Sequence, residues 1–281
     1  MYFTTIIKVN NSCKVLNKSK MKHNILRVIL VCSVLFSCSS EEAEQVIDPT
    51  TGDTINVASN RQQTGSSAND LLSANTFDKM TVEIAFIEGF RPTQKALDNF
   101  KNFIEERTFK EAGVVFIEKQ IPAVGKTEYT LEEVVAIEKE HRTKYNSNST
   151  IAVWVLFING NSSKDSNQGS ILGSAYWNTS FVIYEETIRG LSNSTFEPER
   201  SLLESAVIHH EFGHILGLTN IGTDLQTDHE DPDHEGHCIV ENCLMYFAAE
   251  TSQGIDNMIS GGEVPKLDAQ CLADLKANGG R

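Results

Sequence analysis

The stretch of sequence that decides the fold is residues 210–217, which read HEFGHILG. Its two histidines, His210 and His214, are four positions apart, so on an α-helix they lie one turn apart on the same face and can bind one metal ion together. Glu211 follows the first histidine, where its carboxylate can accept a proton from a water molecule that the metal activates and pass it to a leaving amine. The spacing therefore predicts a zinc site with its own general base.

The surrounding sequence places this motif on a half-buried helix. Apolar residues recur at mostly helical spacing over residues 199–216, a capping signal precedes them at Ser194 or Thr195, and Gly217 is a typical stop. The alternative is an amphipathic core helix whose histidines only satisfy hydrogen bonds. His209 points to another face of the helix, and for this residue we prefer a packing role.

Gly217 extends the likeness of this stretch to a known pattern. It stands three residues after the second histidine, so the sequence resembles the metzincin clan of zinc peptidases, whose pattern is HExxHxxGxxH followed by a methionine turn. Asn220 stands where that pattern has its third histidine, and an amide binds zinc poorly. The third ligand is therefore expected from elsewhere in the chain.

Residues 237–246, which read HCIVENCLMY, supply a candidate. They resemble the H-C-x4-C-x-M ending of the archaemetzincin branch of the clan, after an insertion at residues 219–236 of the kind that leishmanolysin-like metzincins carry. The resemblance implies His237 as the third zinc ligand and Met245 as the methionine beneath the metal. It also implies Tyr246 as a stabiliser of the oxyanion, in a register that differs by one residue from the tyrosine that several metzincins use.

Other side chains of the insertion are alternative third ligands. In order of preference they are His229, then His234, Asp224 and Asp228, and finally Asn220. Residues 224–235 also carry many oxygen atoms that a calcium ion could use, but their spacing matches no EF-hand pattern. A solvated acidic loop is the preferred interpretation.

Three cysteines follow the motif helix, namely Cys238, Cys243 and Cys271. In an oxidising compartment we expect one disulfide and one thiol, the bond joining either Cys238 to Cys243 or that turn to Cys271. Archaemetzincins continue with a CxxC pair that completes a second zinc site. This chain has only Cys271 there, so a four-cysteine zinc site is not expected.

The start of the chain is typical of an export signal. Residues 21–27 are basic, residues 28–36 are apolar but too few to span a bilayer, and residues 35–38, LFSC, resemble the lipobox of bacterial lipoproteins. We therefore expect Cys38 to carry a lipid anchor, and the acidic residues after it resemble an export signal to the outer membrane or cell surface of Bacteroidetes. An ordinary cleaved secretory signal is the alternative, and Met21 is a second candidate start.

Charge and composition divide the chain into three parts. Residues 1–38 form the predicted signal peptide, residues 39–70 are polar without apolar periodicity and are interpreted as a flexible tether, and residues 71–281 form one predicted domain. The chain has 24 basic and 38 acidic residues, a net charge of -14. Residues 1–37 hold six of the basic residues and no acidic ones, so the remainder carries a net charge of -20. This surface excludes nucleic acid as a partner.

Alternating strand and helix patterns predict an α+β fold. Strands are expected at residues 81–87, 114–121, 151–158, 173–177 and 180–184, and helices at residues 93–107 and 131–145. The order is similar to the N-terminal half of zincins, which implies a zincin-like fold with a twisted mixed sheet packed on helices, an HExxH helix and a small C-terminal subdomain. In that family the edge strand pairs with extended substrate, and residues 169–177 are the candidate. An ordinary edge hairpin is the alternative.

These features together predict a zinc-dependent endopeptidase displayed as a surface lipoprotein, monomeric and acting on peptides or proteins. Zinc held by His210, His214 and His237 would polarise the scissile carbonyl while Glu211 acts as general base. One alternative is a zincin-fold lipoprotein that binds peptide or protein ligands without turnover, and another is a structural protein whose metal serves folding only. Glu211 favours turnover, because a structural zinc has no use for a base beside its ligand.

Overall fold

The computed structural model describes residues 45–47, 54–123, 125–167, 169–192, 197–252 and 254–281. The predicted signal peptide with Cys38 lies outside these ranges, as do Ser194 and Thr195. The strands are β1 (Gln45–Ile47), β2 (Thr54–Asn56), β3 (Lys79–Ile87), β4 (Gly113–Ile121), β5 (Glu128–Tyr129), β6 (Thr150–Phe157), β7 (Asn161–Ser162), β8 (Gly173–Trp177) and β9 (Ser180–Ile183). The α-helices are α1 (Ala68–Leu72), α2 (Gln94–Arg107), α3 (Leu131–His141), α4 (Glu185–Gly190), α5 (Arg200–Ile215), α6 (Ile255–Ile259) and α7 (Ala269–Ala277), and short 3-10 helices cover Val57–Asn60 and Phe247–Glu250. Within the described ranges, no helix has both the length and the apolar character needed to cross a membrane.

A five-stranded sheet forms the centre of the domain, in the order β4-β3-β6-β9-β8. The first four strands run parallel, and β8 pairs antiparallel with β9 at one edge. The central strand β6 is apolar almost throughout, as expected of a strand covered on both faces. Val153 and Val155 join the core on the side of α5, whereas Trp154 and Leu156 pack on the side of α3. The predicted mixed sheet packed on helices is confirmed.

Helices α2 and α5 cover one face of the sheet. Thr93 caps α2, its side chain accepting a hydrogen bond from the backbone N–H of Ala96 at 3.2 Å. Phe100 of α2 packs edge-on against Phe212 of α5 and Phe181 of β9, with ring centroids 5.1 and 6.1 Å away. Because α5 is buried along nearly all of its length, the motif helix lies beneath the sheet.

The predicted bounds of the strands and helices agree with the structure to within two residues except at α3. That helix ends at His141 instead of continuing to the predicted residue 145. The reason is Arg142, whose side chain turns into the domain and donates hydrogen bonds to Glu138 Oε1 and to the carbonyl oxygen of Ala152, both at 2.8 Å. The buried guanidinium therefore sets the end of the helix.

The folded domain begins earlier than the predicted boundary at residue 71. Asn60 is fully buried, and its Nδ2 donates to the carbonyl oxygen of Ala152 and to Thr179 Oγ1, both at 3.1 Å. The backbone N–H of Gln62 donates to Asn178 Oδ1 at 2.9 Å. Hydrogen bonds of side-chain amides, and not a periodic apolar face, hold this segment on the domain. Its polar composition therefore predicted a tether, although residues 57–70 belong to the domain.

Candidate metal centre

Helix α5 presents His210 and His214 side by side. Their Nε2 atoms are 3.0 Å apart and their rings are nearly perpendicular, at 88°. The helix ends just after the second histidine, where Gly217 adopts a φ of +80° and its N–H donates to the carbonyl oxygen of His214 at 3.0 Å. A Cβ at position 217 would meet Thr223 Cγ2 at 2.5 Å. Glycine is thus required both for the left-handed turn and for the close approach of the next loop.

The structure brings His237 to the same place, as the sequence predicted. Its ring centroid lies 5.3 Å from that of His210 and 5.1 Å from that of His214. The backbone N–H of the next residue, Cys238, donates to the carbonyl oxygen of Met245 at 2.8 Å, so the histidine is tied to the methionine turn. The intervening insertion therefore loops out and returns the chain to the motif helix.

The methionine turn orients the first histidine from below. The carbonyl oxygen of Leu244 lies 2.8 Å from His210 Nδ1, an arrangement that places the proton on Nδ1 and leaves Nε2 to face the other histidines. Met245 is fully buried, and its Sδ would be 2.3 Å from a Cβ built on Gly213. The small residue between the histidines thus lets the methionine lie directly against the helix.

Tyr246 does not lie where the oxyanion role would place it. Its ring packs against Phe247 at 4.6 Å, and its side chain lines a cavity with Asn242 and Met258. That cavity is separate from the cleft that contains His214 and His237. The structure therefore does not support the oxyanion role predicted for Tyr246.

Glu211 is fully buried behind the histidines. Neither of its carboxylate oxygens has a hydrogen-bond partner of normal geometry within the described ranges. Burial raises the pKa of Glu211 well above its usual range, the neighbouring Glu250 raises it further, and the backbone N–H of Ala175 offsets only part of this shift. A buried carboxyl without a partner is costly unless a ligand or substrate completes its surroundings.

Glu250 is the member of the cluster that sequence reasoning missed. Its Oε2 lies 3.8 Å from Nε2 of His210 and 3.8 Å from Nε2 of His214, and its Oε1 lies 3.4 Å from Nε2 of His237. It follows the methionine turn in a stretch, FAAE, with no metal-ligand spacing of its own. Only the fold, which ends the second 3-10 helix at this residue, brings the carboxylate to the histidines.

The donor set fits a zinc ion. Nε2 of His214 lies 3.0 Å from Nε2 of His210, and Nε2 of His237 is buried without a hydrogen-bond partner in the part of the chain that the structure describes. Burial lowers the pKa of His214 to about 4. Burial alone would raise the pKa of Glu250, but the three histidines beside it hold that pKa far below its usual range. Three imidazoles and a carboxylate around one point are a suitable set of ligands for zinc.

A cleft opens beside this cluster at the edge of the sheet. Ser174 and Ala175 of β8 line one side, and Ile221 and Glu235 line the other. A Cβ at Gly173 would stand 2.6 Å from both Cγ and Oε1 of Glu211. The backbone of the edge strand therefore packs directly against the predicted base, and the cleft runs along that strand.

His209 has the packing role that its helical face predicted. Its ring stacks on Phe103 at 4.4 Å with an interplanar angle of 12°. Burial lowers its pKa to about 3, although a hydrogen bond to the backbone of Asn99 favours the charged form. His209, the histidine of the motif helix outside the cluster, is thus a neutral core residue.

The alternative third ligands lie away from the histidine cluster. His229 is buried with Asp274, its Nε2 lying 2.7 Å from that carboxylate. His234 stacks on Phe247 at 3.6 Å. Asp224 and Asp228 are exposed, and Asn220 donates a hydrogen bond to Glu230 at 2.9 Å.

The calcium site suggested for residues 224–235 finds no support. The described residues form two groups with the geometry to hold a metal ion, and the acidic loop contributes to neither. Asp224 and Asp228 are exposed, Asp231 Oδ1 accepts a hydrogen bond from the backbone N–H of Asp233 at 2.9 Å, and Glu230 accepts from Asn220 and Gly236 of the same insertion. The interpretation as a solvated acidic loop agrees with this arrangement.

The second group consists of Cys238, Cys243, Cys271 and Asp268. All three cysteines are buried and free, and the Sγ atoms of Cys243 and Cys271 are 3.5 Å apart. The expected disulfide is therefore absent, because the three sulfurs converge on one point instead of pairing. Asp268 caps α7 through the N–H of Cys271 at 2.9 Å, and its Oδ1 lies 3.7 Å from Cys243 Sγ. The carboxylate of Asp268 thus joins the three cysteines as a fourth group that could bind a metal ion.

Comparisons with known proteins found similarity to solved structures only. No family model matches the chain, and no curated protein matches it. Its structure is similar to the crystal structure of archaemetzincin from Methanopyrus kandleri, with 16% sequence identity and a TM-score of 0.48. The match covers 72% of this chain and 96% of the archaemetzincin chain.

Proposed function

We propose that this protein is a zinc-dependent endopeptidase. The observation that carries the proposal is the convergence of three histidine Nε2 atoms beside a buried glutamate whose carboxylate oxygens have no hydrogen-bond partner of normal geometry among the described residues. His210, His214 and His237 would hold the ion. When bound, zinc would polarise a carbonyl and lower the pKa of water toward neutrality.

The remaining chemistry belongs to Glu211. Its carboxylate would take the proton of the attacking water and then deliver it to the leaving amine, so that one residue serves as base and as acid. Burial favours the protonated form, which suits the second step, whereas a cation at the histidines would favour the ionised form that the first step needs.

The edge of the sheet supports a peptide or protein substrate. An extended peptide can add to an exposed sheet edge through main-chain hydrogen bonds, and β8 is an edge strand whose residues line the cleft. Gly173 brings that edge into contact with Glu211. A scissile bond held along β8 would therefore lie within reach of the base.

The test is zinc content together with hydrolysis of a mixed peptide library by residues 39–281, comparing wild type with Glu211→Ala and His237→Ala. We expect Glu211→Ala to keep its metal and lose hydrolysis, and His237→Ala to lose both. His234→Ala is the matched control, since this histidine of the same loop stacks on Phe247 outside the cluster. A wild type that binds zinc but cleaves nothing beyond the Glu211→Ala background would contradict the proposal.

A binding protein without turnover is the second candidate. Glu250 favours this function, because its carboxylate as a fourth ligand beside three histidines gives the closed ligand set of a structural zinc site. In this case the cleft along β8 would hold a peptide or protein ligand that is not cleaved. The library experiment separates the two functions, since only a peptidase loses an activity in Glu211→Ala.

The cysteine cluster would hold a second, structural metal. Three thiolates and the Asp268 carboxylate give four ligands with no open position, and they join the methionine turn to α7. We expect two zinc ions per chain by mass spectrometry under native conditions. Cys271→Ser should remove one of them and leave the histidine site loaded, whereas a single ion in wild type would contradict this assignment.

The export route remains a proposal that rests on the sequence. Cys38, in the lipobox-like stretch LFSC, would carry the lipid and hold the protein at the bacterial outer membrane or cell surface. Labelled palmitate supplied to cells should be incorporated into wild type and not into Cys38→Ala. Labelling of neither protein would favour the ordinary cleaved signal, and equal labelling of both would place the lipid at a residue other than Cys38.

A further inference from the structure

The position of Glu250 relative to the histidines has the geometry of a metal ligand. Ligand atoms about 2.0–2.1 Å from a tetrahedral zinc lie about 3.3–3.4 Å from one another. The carboxylate oxygens of Glu250 are 3.4 to 3.8 Å from the three Nε2 atoms, and Nε2 of His210 and His214 are 3.0 Å apart. Glu250 would therefore supply a fourth ligand to an ion held by the three histidines, whereas a catalytic zinc site keeps its fourth position open.

The backbone around Glu250 is bound to the same sheet edge that a substrate would use. Its carbonyl oxygen accepts a hydrogen bond from the N–H of Leu172 at 2.8 Å, and Ile171 forms an antiparallel bridge with Thr251. The N–H of Ser252 donates to the carbonyl oxygen of Ser170 at 2.8 Å. Residues 250–252 thus pair with residues 170–172, directly before β8.

Glu250 also stands between the two cavities that flank this edge. One contains Glu211, His214 and His237, the other contains Lys164 and Tyr184, and both include Ser174 together with Glu250. The Glu250 side chain is 29% exposed, so it is accessible from solvent, unlike the base behind it. An extended chain following the edge from one cavity to the other would have to pass this carboxylate.

We propose that Glu250 is a fourth, displaceable ligand of the zinc ion, and that residues 250–252 occupy the substrate edge in the resting protein. A peptide entering along residues 170–174 would replace the pairing of residues 250–252 and move the carboxylate off the metal, which opens the position that hydrolysis requires. This inference rests on the proposed function, because it needs a zinc ion at the three histidines.

The experiment compares wild type with Glu250→Gln, which keeps the shape of the side chain, and Glu250→Ala, with Glu235→Ala as control. Glu235 lines the same cleft but is not one of the clustered ligands. Three quantities are measured: zinc affinity by competition with a chelator, the visible spectrum of the cobalt-substituted protein, and peptide hydrolysis. The part of the cobalt spectrum that is lost in His237→Ala identifies the histidine site.

We expect Glu250→Ala to lower zinc affinity at the histidine site roughly tenfold or more. We also expect its cobalt bands to change in position and intensity as water replaces the carboxylate, and hydrolysis to rise several-fold. Glu235→Ala should leave affinity and spectrum unchanged. Affinity and cobalt spectrum in both Glu250 variants that equal those of wild type would overturn the inference.

The two proposals fail on different results. If Glu250→Ala changes the affinity and the spectrum but neither it nor wild type cleaves any peptide, the peptidase function fails and the ligand role of Glu250 stands. If the Glu250 variants match wild type in metal binding while Glu211→Ala abolishes hydrolysis, the ligand role of Glu250 fails and the peptidase function stands. A wild type that binds no metal at the histidine site overturns both.

Discussion

Two buried polar clusters of this protein differ in how completely their groups are paired. Arg142 and Glu138 have fully buried side chains, and the guanidinium also donates to Ser180 Oγ at 3.0 Å and to the carbonyl oxygen of Lys144 at 2.7 Å. The second oxygen of Glu138 accepts from Tyr176 at 2.6 Å. At the histidine cluster, by contrast, the buried oxygens of Glu211 have no hydrogen-bond partner of normal geometry in the ranges that the structure describes.

This difference separates a structural cluster from a functional one. Buried polar groups are normally hydrogen-bonded, and each exception needs an explanation. The pair Arg142 and Glu138 ends α3 and joins it to β6, so its satisfied bonds serve the fold. The three histidines converge with Glu250 on one point, and Glu211 lines the same cleft with its carboxylate oxygens lacking a hydrogen-bond partner of normal geometry among the described residues. This is the arrangement expected where an ion and a substrate complete the site.

The largest change in stability is expected from a substitution in the paired cluster of Arg142 and Glu138. Arg142→Met leaves the carboxylate of Glu138 buried without its cation, and we expect the free energy of unfolding to fall by about 3–5 kcal/mol. Urea unfolding of the metal-free protein measures this change. Lys95→Met, which breaks the exposed pair with Glu199, should cost less than about 1 kcal/mol. Equal effects of the two variants would contradict the structural role of Arg142.

At the unpaired cluster, by contrast, a substitution should raise the free energy of unfolding. Glu211→Gln removes a carboxyl whose pKa burial raises, so the metal-free protein should gain about 1–3 kcal/mol. Because the pKa of Glu211 is raised in the folded state, the folded protein holds this proton at pH values where the unfolded chain has already lost it. The stability of wild type therefore falls as pH rises above about 4.3, the pKa of an unperturbed glutamate. The stability advantage of Glu211→Gln grows over the same pH range. Hydrolysis should fall by roughly 10²- to 10⁴-fold. A variant that unfolds more easily than wild type would argue that Glu211 is structurally paired.

Gly173 sharpens the contact between the edge strand and the base. Gly173→Ala places a Cβ 2.6 Å from Glu211 Cγ, and we expect a loss of about 1–2 kcal/mol of stability. In a Glu211→Ala background the clashing atoms are gone, so the same substitution should cost much less. A double-mutant cycle by urea unfolding gives this coupling, and additive effects would contradict the contact.

His209 gives the smallest expected effect and tests the packing role. Its pKa is lowered to about 3 in the folded protein, so folding opposes its protonation and wild-type stability falls as pH drops below about 6.5. His209→Phe removes this loss. Between pH 6.5 and 5.5 the variant should lose about 1 kcal/mol less than wild type in chelator-treated protein. Identical pH dependence would show that the ring is accessible to protons.

The sequence was informative wherever one periodicity or one spacing carried the signal. The near-continuous apolar run of β6 predicted a strand covered on both faces, and the spacing of His210 and His214 predicted their common face on a buried helix. His237 was located through its likeness to a known ending, and the structure brings its ring to within 5.3 Å of the other two.

The features that were missed depend on long-range contacts without a local pattern. Glu250 reaches the histidines only because residues 250–252 pair with residues 170–172. Asp268 joins the cysteines because it is also the cap of α7. Asn60 is held by side-chain amide bonds across more than 80 positions of the chain, which composition alone presents as a polar tether.

The central claim is that three histidines bind zinc, and X-ray absorption at the zinc edge tests it most directly. For the loaded wild type we predict a nitrogen and oxygen shell at about 2.0–2.1 Å from the histidine site beside a sulfur shell at about 2.3 Å from the cysteine site. In His237→Ala the imidazole contribution should fall while the sulfur shell stays. A wild-type spectrum with sulfur ligands alone, unchanged by His237→Ala, would contradict the account.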